Sequence, residues 1–241
     1  GSEMCIRDRN NIIKLITSWK IGDYIRQLSI VMVGIIVTFA GSNMITDYSQ
    51  SKEIVNALQL VKNELELNKK EVRRITERIQ LERKACSYVL KYRDCIEKAS
   101  EDTLRMYSNI PFQSRSFVYT KDAMELLKIS SLFQKIQPRI LVLQIIKSYS
   151  DLEITRMLVK DFYDIKVGYT NNLINSENFD FYDKKQYQFI RDFWRNFLFS
   201  KEGWNVCNFV VNNFSSEEPF QEIEMSLEKT IKMLEETYQL E

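Results

Sequence analysis

Between Ile54 and Ile96, apolar side chains recur at alternating spacings of four and three residues. The row runs Ile54, Leu58, Val61, Leu65, Val72, Ile75, Ile79, Cys86, Val89 and Ile96, with Asn68, Glu82 and Arg93 filling the remaining places. This is the period of a long α-helix that buries one stripe. Two partners suit such a stripe. A second copy could face it in a parallel coiled coil, with Asn68 fixing the register as a buried Asn can. The other helices of the same chain could cover it instead. Val55, Leu60, Leu67, Leu81 and Leu90 are expected to broaden the stripe beyond a narrow seam, which favours the second arrangement. Exposed charges such as Glu66 and Lys70 read as solvated pairs.

Upstream, the pattern changes from striped to continuous. Gln27–Thr46 carries no charge and is bounded by Arg26 and Asp47. As a helix it would reach roughly 30 Å, the thickness of a bilayer core. Its dense part is Leu28–Ala40, and the expected anchor residues are Leu28, Ile30, Val31, Val33, Gly34, Ile35, Ile36, Val37 and Phe39. A buried core helix and a cleaved signal peptide ending at Thr38-Phe39-Ala40 are the alternatives. Trp19 and Tyr24 on one flank and Tyr48 on the other sit where interfacial aromatics belong. A long amphipathic stretch (Ile12, Ile13, Leu15, Ile16, Trp19) precedes the run, unlike a short basic leader. These features favour an uncleaved span. Lys14, Lys20 and Arg26 outnumber Lys52 and Lys62, placing the N-terminus inside and the larger part outside the inner membrane. Gly1–Arg9 reads as a translated frame of a common transposon-based sequencing adapter, so it is set aside and the native start is expected to be lost.

Downstream, four further helices are expected. Thr120 is placed to cap one over 121–135. Pro138 suits the first turn of a second that runs to Val167 and is closed by Gly168. A third covers about 184–200. The last opens at Ser216 and Pro219 and carries Phe220, Ile223, Leu227, Leu234 and Tyr238 on one face. Residues 108–119 and 171–180 read as loops, with brief extended stretches at 116–120 and 208–211. Aromatic residues crowd 179–220. There Phe193, Trp194, Phe197 and Trp204 are the candidate surface for a partner or a small ligand, against the plainer reading of a bulky helical core.

Composition narrows the chemistry. Six glycines and three prolines in 241 residues argue against a loop-rich β fold. Residues 1–46 carry a net charge of +2 and the remainder −1, so no basic face for nucleic acid is expected. The absence of histidine removes the usual ligand of zinc, haem and di-iron sites. Beyond the adapter, Cys86, Cys95 and Cys207 remain. Cys86 and Cys95 are nine residues apart on one expected helix, about 13 Å and too far to bridge. Either could meet Cys207, or all three are small buried side chains. Glu217, Glu218, Glu222, Glu224 and Glu228 read as a helix start and a solvated face. No phosphate loop or nucleophile elbow occurs. No cofactor, metal site or catalytic group is expected, so the chain is not read as an enzyme.

The run Tyr24–Ala40, with Gly34 inside it and a charged amphipathic helix after it, resembles an uncharacterised family of bacterial single-pass membrane proteins, domain of unknown function 6090. Leu58, Leu65 and the later Leu127-Lys128-Ile129-Ser130 follow the same layout. The chain departs from that pattern at Gln27, where Glu is common, and at Ser42-Asn43-Met44-Ile45, where Asn-Asn-Trp is usual. By motif the resemblance covers residues 24–65. It implies an anchored helical protein and no chemistry. The expected architecture is all-α: a juxtamembrane segment over 10–26, a transmembrane helix over 27–46, a helical stalk over 47–107, and an antiparallel bundle over 108–241 packed with the stalk. The expected partners are the lipid bilayer through residues 27–46 and an unknown protein or a second copy. The expected role is a scaffold or accessory protein, with a ligand-sensing bundle as the alternative.

Overall fold

A computed structural model describes residues 3–175, 189–214 and 218–240; within its helices, the side chains of 3–25, Leu28, 39–47 and Glu218 lie outside that description. Among the described residues there are helices and no strands: α1 (Glu3–Lys91), α2 (Glu101–Tyr107), α3 (Asp122–Ile129), α4 (Arg139–Ile174), α5 (Ile190–Phe199), α6 (Lys201–Asn212) and α7 (Glu218–Tyr238). Short three-ten turns occupy Arg93–Lys98, Ile110–Phe112 and Phe133–Lys135. The chain divides into two compact units, residues 1–54 and 55–241.

In the first unit, Ile30, Val31, Met32, Val33, Ile35, Ile36 and Val37 are each 50–65% exposed. Among the described residues no helix is long and apolar enough to cross a membrane. The expected span over 27–46 is therefore without support from the fold, and its members Leu28 and Phe39 lie outside the described side chains.

In the second unit, the four-and-three row of α1 is the spine of the core. From Leu58 to Val89 every position in the row is buried, the polar Asn68 and Glu82 included. Covering side chains come from the same chain, so the stripe is an internal one. Leu60, Leu67 and Leu81 do not widen it as expected; they are exposed. Their places beside the seam are taken by Lys62, Glu64 and Ala85. Lys62 buries its aliphatic stem and reaches Glu235 of α7 at 3.1 Å and Glu66 at 3.5 Å. The Glu235 carboxylate, against the opposing effect of burial, holds the Lys62 ammonium above its usual pKa. Lys69 meets Glu228 at 3.7 Å, and Arg73 meets Glu224. Glu224 and Glu228, read as part of a solvated face, are thus aligned with Arg73 and Lys69 of α1.

Several expected boundaries move, each for a local reason. α1 ends at Lys91 rather than continuing through the stalk, and Cys95 takes non-helical angles inside the following turn. Thr120 does not cap α3; the cap position is Lys121, without a side-chain bond. α3 stops at Ile129, where the Ser130 hydroxyl donates back to the Leu127 carbonyl at 2.7 Å. α4 runs through Gly168 to Ile174, because Thr170 and Leu173 still face the core while Gly168 borders open space. Its Pro138 sits at the cap rather than inside the first turn. Of the expected helix over 184–200, residues 184–188 lie outside the description and α5 begins at Ile190.

α6 was not expected, and 208–211 is helical rather than extended. Gly203, Val206, Cys207 and Val210 recur at helical spacing and are all buried. The Ser200 hydroxyl caps the helix, accepting from the Gly203 N–H at 3.0 Å. At Gly203 a Cβ would lie 2.0 Å from the Phe197 carbonyl oxygen, so the α5–α6 corner closes only over glycine. α4 packs against both α6 and α7, and α5 packs on α6, α2 and the 93–98 turn. Gly203→Ala is expected to destabilise the folded chain by about 1–3 kcal/mol, the usual cost of forcing atoms into a filled site. Thermal or urea denaturation checks this, and an unchanged midpoint would contradict it.

Candidate functional site

Asn68 and Glu64 of α1 bond the chain between α2 and α4 directly, and Glu82 reaches it through Lys166. Asn68 pairs with the backbone of Thr120 as one strand pairs with another. Its Nδ2 donates to the Thr120 carbonyl at 2.7 Å, and its Oδ1 accepts from the Thr120 N–H at 2.8 Å. Glu64 accepts from the N–H groups of Ala123 and Met124 at 2.9 and 3.4 Å. It thereby serves the free N-terminal amides of α3 from a neighbouring helix, which is why no local cap is needed. Tyr149 of α4 donates its hydroxyl to the same carboxylate. Burial first, and then Glu64, push the Tyr149 phenol well above its usual range.

Near the other end of the helix lies a buried ion pair. Lys166 Nζ of α4 reaches Glu82 Oε2 at 2.6 Å, and both side chains are essentially inaccessible. The same ammonium donates to the carbonyls of Ile110 and Gln113 at 3.0 and 2.6 Å. Three N–H donors meet three acceptors, so the charged form is fully used. Burial nevertheless draws Lys166 below the ordinary lysine range, with Glu82 opposing. Glu82 Oε1 accepts from Arg78 at 2.8 Å and from the Tyr163 hydroxyl at 3.1 Å. Buried carboxylates need this kind of complete partnering.

These two anchor points stretch the intervening chain. Glu82 and Asn68 are about 21 Å apart along α1, and the seven steps from Gln113 to Thr120 cover it at about 3 Å each. Residues 113–120 are therefore an extended strap running antiparallel to α1. Phe117, at its middle, is buried. The strap also lies beside α4, where the Tyr119 hydroxyl donates to Glu153 at 2.9 Å. Arg156 grips the same carboxylate through Nε at 3.0 Å and Nη2 at 2.5 Å. Arg156 first and Tyr119 second hold Glu153 down to about 2. Burial and Glu153 push Tyr119 up to about 12. Between strap and α4 is a groove of about 450 Å3 bordered by Arg115, Val118, Arg156, Lys160 and Asp164.

The aromatic residues weighed as a partner or ligand surface or as a helical core take core positions, Trp204 only in part. Phe193, Trp194 and Phe197 are buried, with ring centroids 5.3–6.3 Å apart. Trp194 Nε1 donates to the Leu104 carbonyl at 2.9 Å, and Phe112 closes on Phe197 at 5.5 Å. Trp204 is half-buried under the Arg93 guanidinium, 4.2 Å from its ring centre. The stripe faces inward because α2, the 110–112 turn and α6 supply apolar area on that side, leaving these four residues no shared open face. Cys207 lies against Cys86, with both thiols free and buried, and burial pushes the Cys207 thiol well up. Cys95 stands apart in the turn after α1.

Searches of protein-family models, curated proteins and solved structures find no match.

Among the described residues no group of His, Cys, Asp and Glu could hold a metal ion. Sequence reasoning singled out Asn68 and Glu82 as breaks in the row but missed Lys166, Glu64 and Tyr149. A lysine at a core position of α4 was the available signal. The network's chemistry is structural: it fixes one irregular segment on two helices. Glu82→Gln strands the Lys166 ammonium among carbonyls and is expected to cost about 3–5 kcal/mol, while Glu82→Gln with Lys166→Met costs less than the single change. Urea denaturation of the two variants decides, and a double variant no more stable than the single one contradicts the pairing.

Proposed function

We propose that the chain is a single-pass bacterial inner-membrane protein whose helical domain works by protein–protein contact, as a scaffold or accessory subunit, without catalysis or cofactor. In this reading the N-terminus is cytoplasmic, residues 27–46 meet the bilayer, and the larger domain is periplasmic.

The observation that carries the contact reading is the outer face of α4. Ile140, Leu143, Ile154, Met157, Leu158 and Ile165 are 45–62% exposed on a helix whose opposite face is fully buried. Apolar residues on both sides of one helix are expected where a further partner completes the packing. Leu60, Leu67 and Leu81 on α1 add exposed apolar area at heptad spacing. The anchor reading rests on residues 30–37 of α1, apolar apart from Gly34 and exposed on every side of the helix. The Thr38 hydroxyl donates to the Gly34 carbonyl at 2.8 Å, which satisfies it without water. The resemblance to the domain of unknown function 6090 family over residues 24–65 is consistent with this layout and assigns no activity. The ligand-sensing alternative draws less support, because Phe193, Trp194 and Phe197 are packed against one another.

One experiment tests both parts. Membranes carrying the full chain, with a photo-crosslinking residue at Ile154, are irradiated and then washed with alkaline carbonate. The chain is expected to stay in the pellet and to give one discrete adduct. Release into the wash contradicts the anchor, and a retained chain without an adduct contradicts the contact reading.

A further inference from the structure

The strap differs from its neighbours in what its backbone does. From Arg115 to Tyr119, no N–H or carbonyl has a hydrogen-bond partner among the described residues. At its ends the chain is held firmly, by Lys166 at Gln113 and by Asn68 at Thr120, and Phe117 pins the middle. A fixed, extended row of free donors and acceptors is the template on which another extended segment pairs. Because the row is already ordered, a partner need not meet the cost of ordering it.

We propose that the groove between the strap and α4 receives an extended acidic peptide segment of a protein partner, paired by backbone hydrogen bonds to residues 115–119. This rests on the contact reading above and names its surface and the kind of partner. The groove's volume of about 450 Å3 accommodates the side chains of a few residues. Its charged border is Arg115, Arg156 and Lys160 against the single acid Asp164. A second groove beyond Tyr119 is balanced, Lys121 and Lys128 facing Glu125 and Glu153 with Lys121 already paired to Glu125 at 2.8 Å, so the excess of positive charge lies at the first groove. Arg156 and Lys160 already hold Glu153 and Asp164, so among the described residues this border forms no focused cage for a small anion. Arg115 has only a 3.5 Å contact to the Ser114 carbonyl and is open to a carboxylate. Val118, 65% exposed, offers the apolar contact between the charged positions. The preferred segment therefore alternates acidic and apolar side chains, matching the two-residue period of an extended strand.

The test uses the full chain in detergent micelles and a fluorescein-labelled peptide, acetyl-Glu-Val-Glu-Val-Glu-Val amide, read by fluorescence anisotropy. The acidic peptide is expected to bind and its Lys-Val counterpart not to. Methylating alternate backbone nitrogens is expected to weaken binding by about tenfold or more, because the strand pairing is lost. Arg115→Glu is expected to weaken it by about tenfold while leaving the melting temperature unchanged, since that side chain is exposed and supports nothing else. No binding of the acidic peptide overturns the proposal, as does equal binding of the lysine or the methylated peptide. A concentration-dependent dimer that Arg115→Glu abolishes, with no peptide binding, would assign the edge to a second copy and also overturn it. A discrete Ile154 adduct beside a silent peptide assay removes this surface and leaves the contact reading standing.

Discussion

The buried pair between Glu82 and Lys166 is the constraint on which the rest of the second unit depends. A carboxylate and an ammonium taken out of water lose several kcal/mol of hydration each, and they persist only where every donor and acceptor is met. Arg78 and Tyr163 meet the carboxylate, and the carbonyls of Ile110 and Gln113 meet the ammonium. The two carbonyls belong to the connection after α2. The pair therefore does more than join α1 to α4: it fixes where the irregular chain must begin its run between them.

From that fixed point the remaining placements follow. The strap can only lie extended if its far end is also held, and Asn68 holds it by mimicking a strand partner. Glu64 then receives the first amides of α3, so α3 starts where the strap ends. The aromatic packing is separate in kind. Phe193, Trp194 and Phe197 close the α2–α5 side, while Phe162, Phe209, Phe214 and Phe220 join α4, α6 and α7 with centroid distances near 5 Å. Such packing supplies most of the apolar burial and little directional information. Surface pairs such as Lys69 with Glu228 align α1 and α7 and contribute roughly 0.2–1 kcal/mol each at most.

Helices were legible where one periodicity dominated. The row from Leu58 to Val89 and the face of α7 through Leu227 and Leu234 stand where the spacing put them. The all-helical character followed from the same periods and from the scarcity of Gly and Pro. Two kinds of feature were not legible. α6 was masked by Val206, Val210 and Val211, whose β-branching suggests extension until tertiary packing overrides it. The second kind is partnership across long sequence separations. Asn68 in an apolar row announces a buried polar contact, yet nothing local says whether the mate is another Asn68 or Thr120. The aromatic segment left a surface and a core reading open, since a stripe at helical spacing carries no sign of which side is covered. As for function, the exposed face of α4 became visible only when its buried face was filled by the same chain.

Two polar anchors on α1 hold an ordered strap whose backbone edge stays free. Native-state hydrogen exchange of the full chain, resolved by residue, tests it most directly. Slow exchange is expected at the Thr120 and Ala123 amides, which are bonded to Asn68 and Glu64, and fast exchange from Arg115 to Tyr119. Exchange at Thr120 and Ala123 as fast as along the free edge would contradict it.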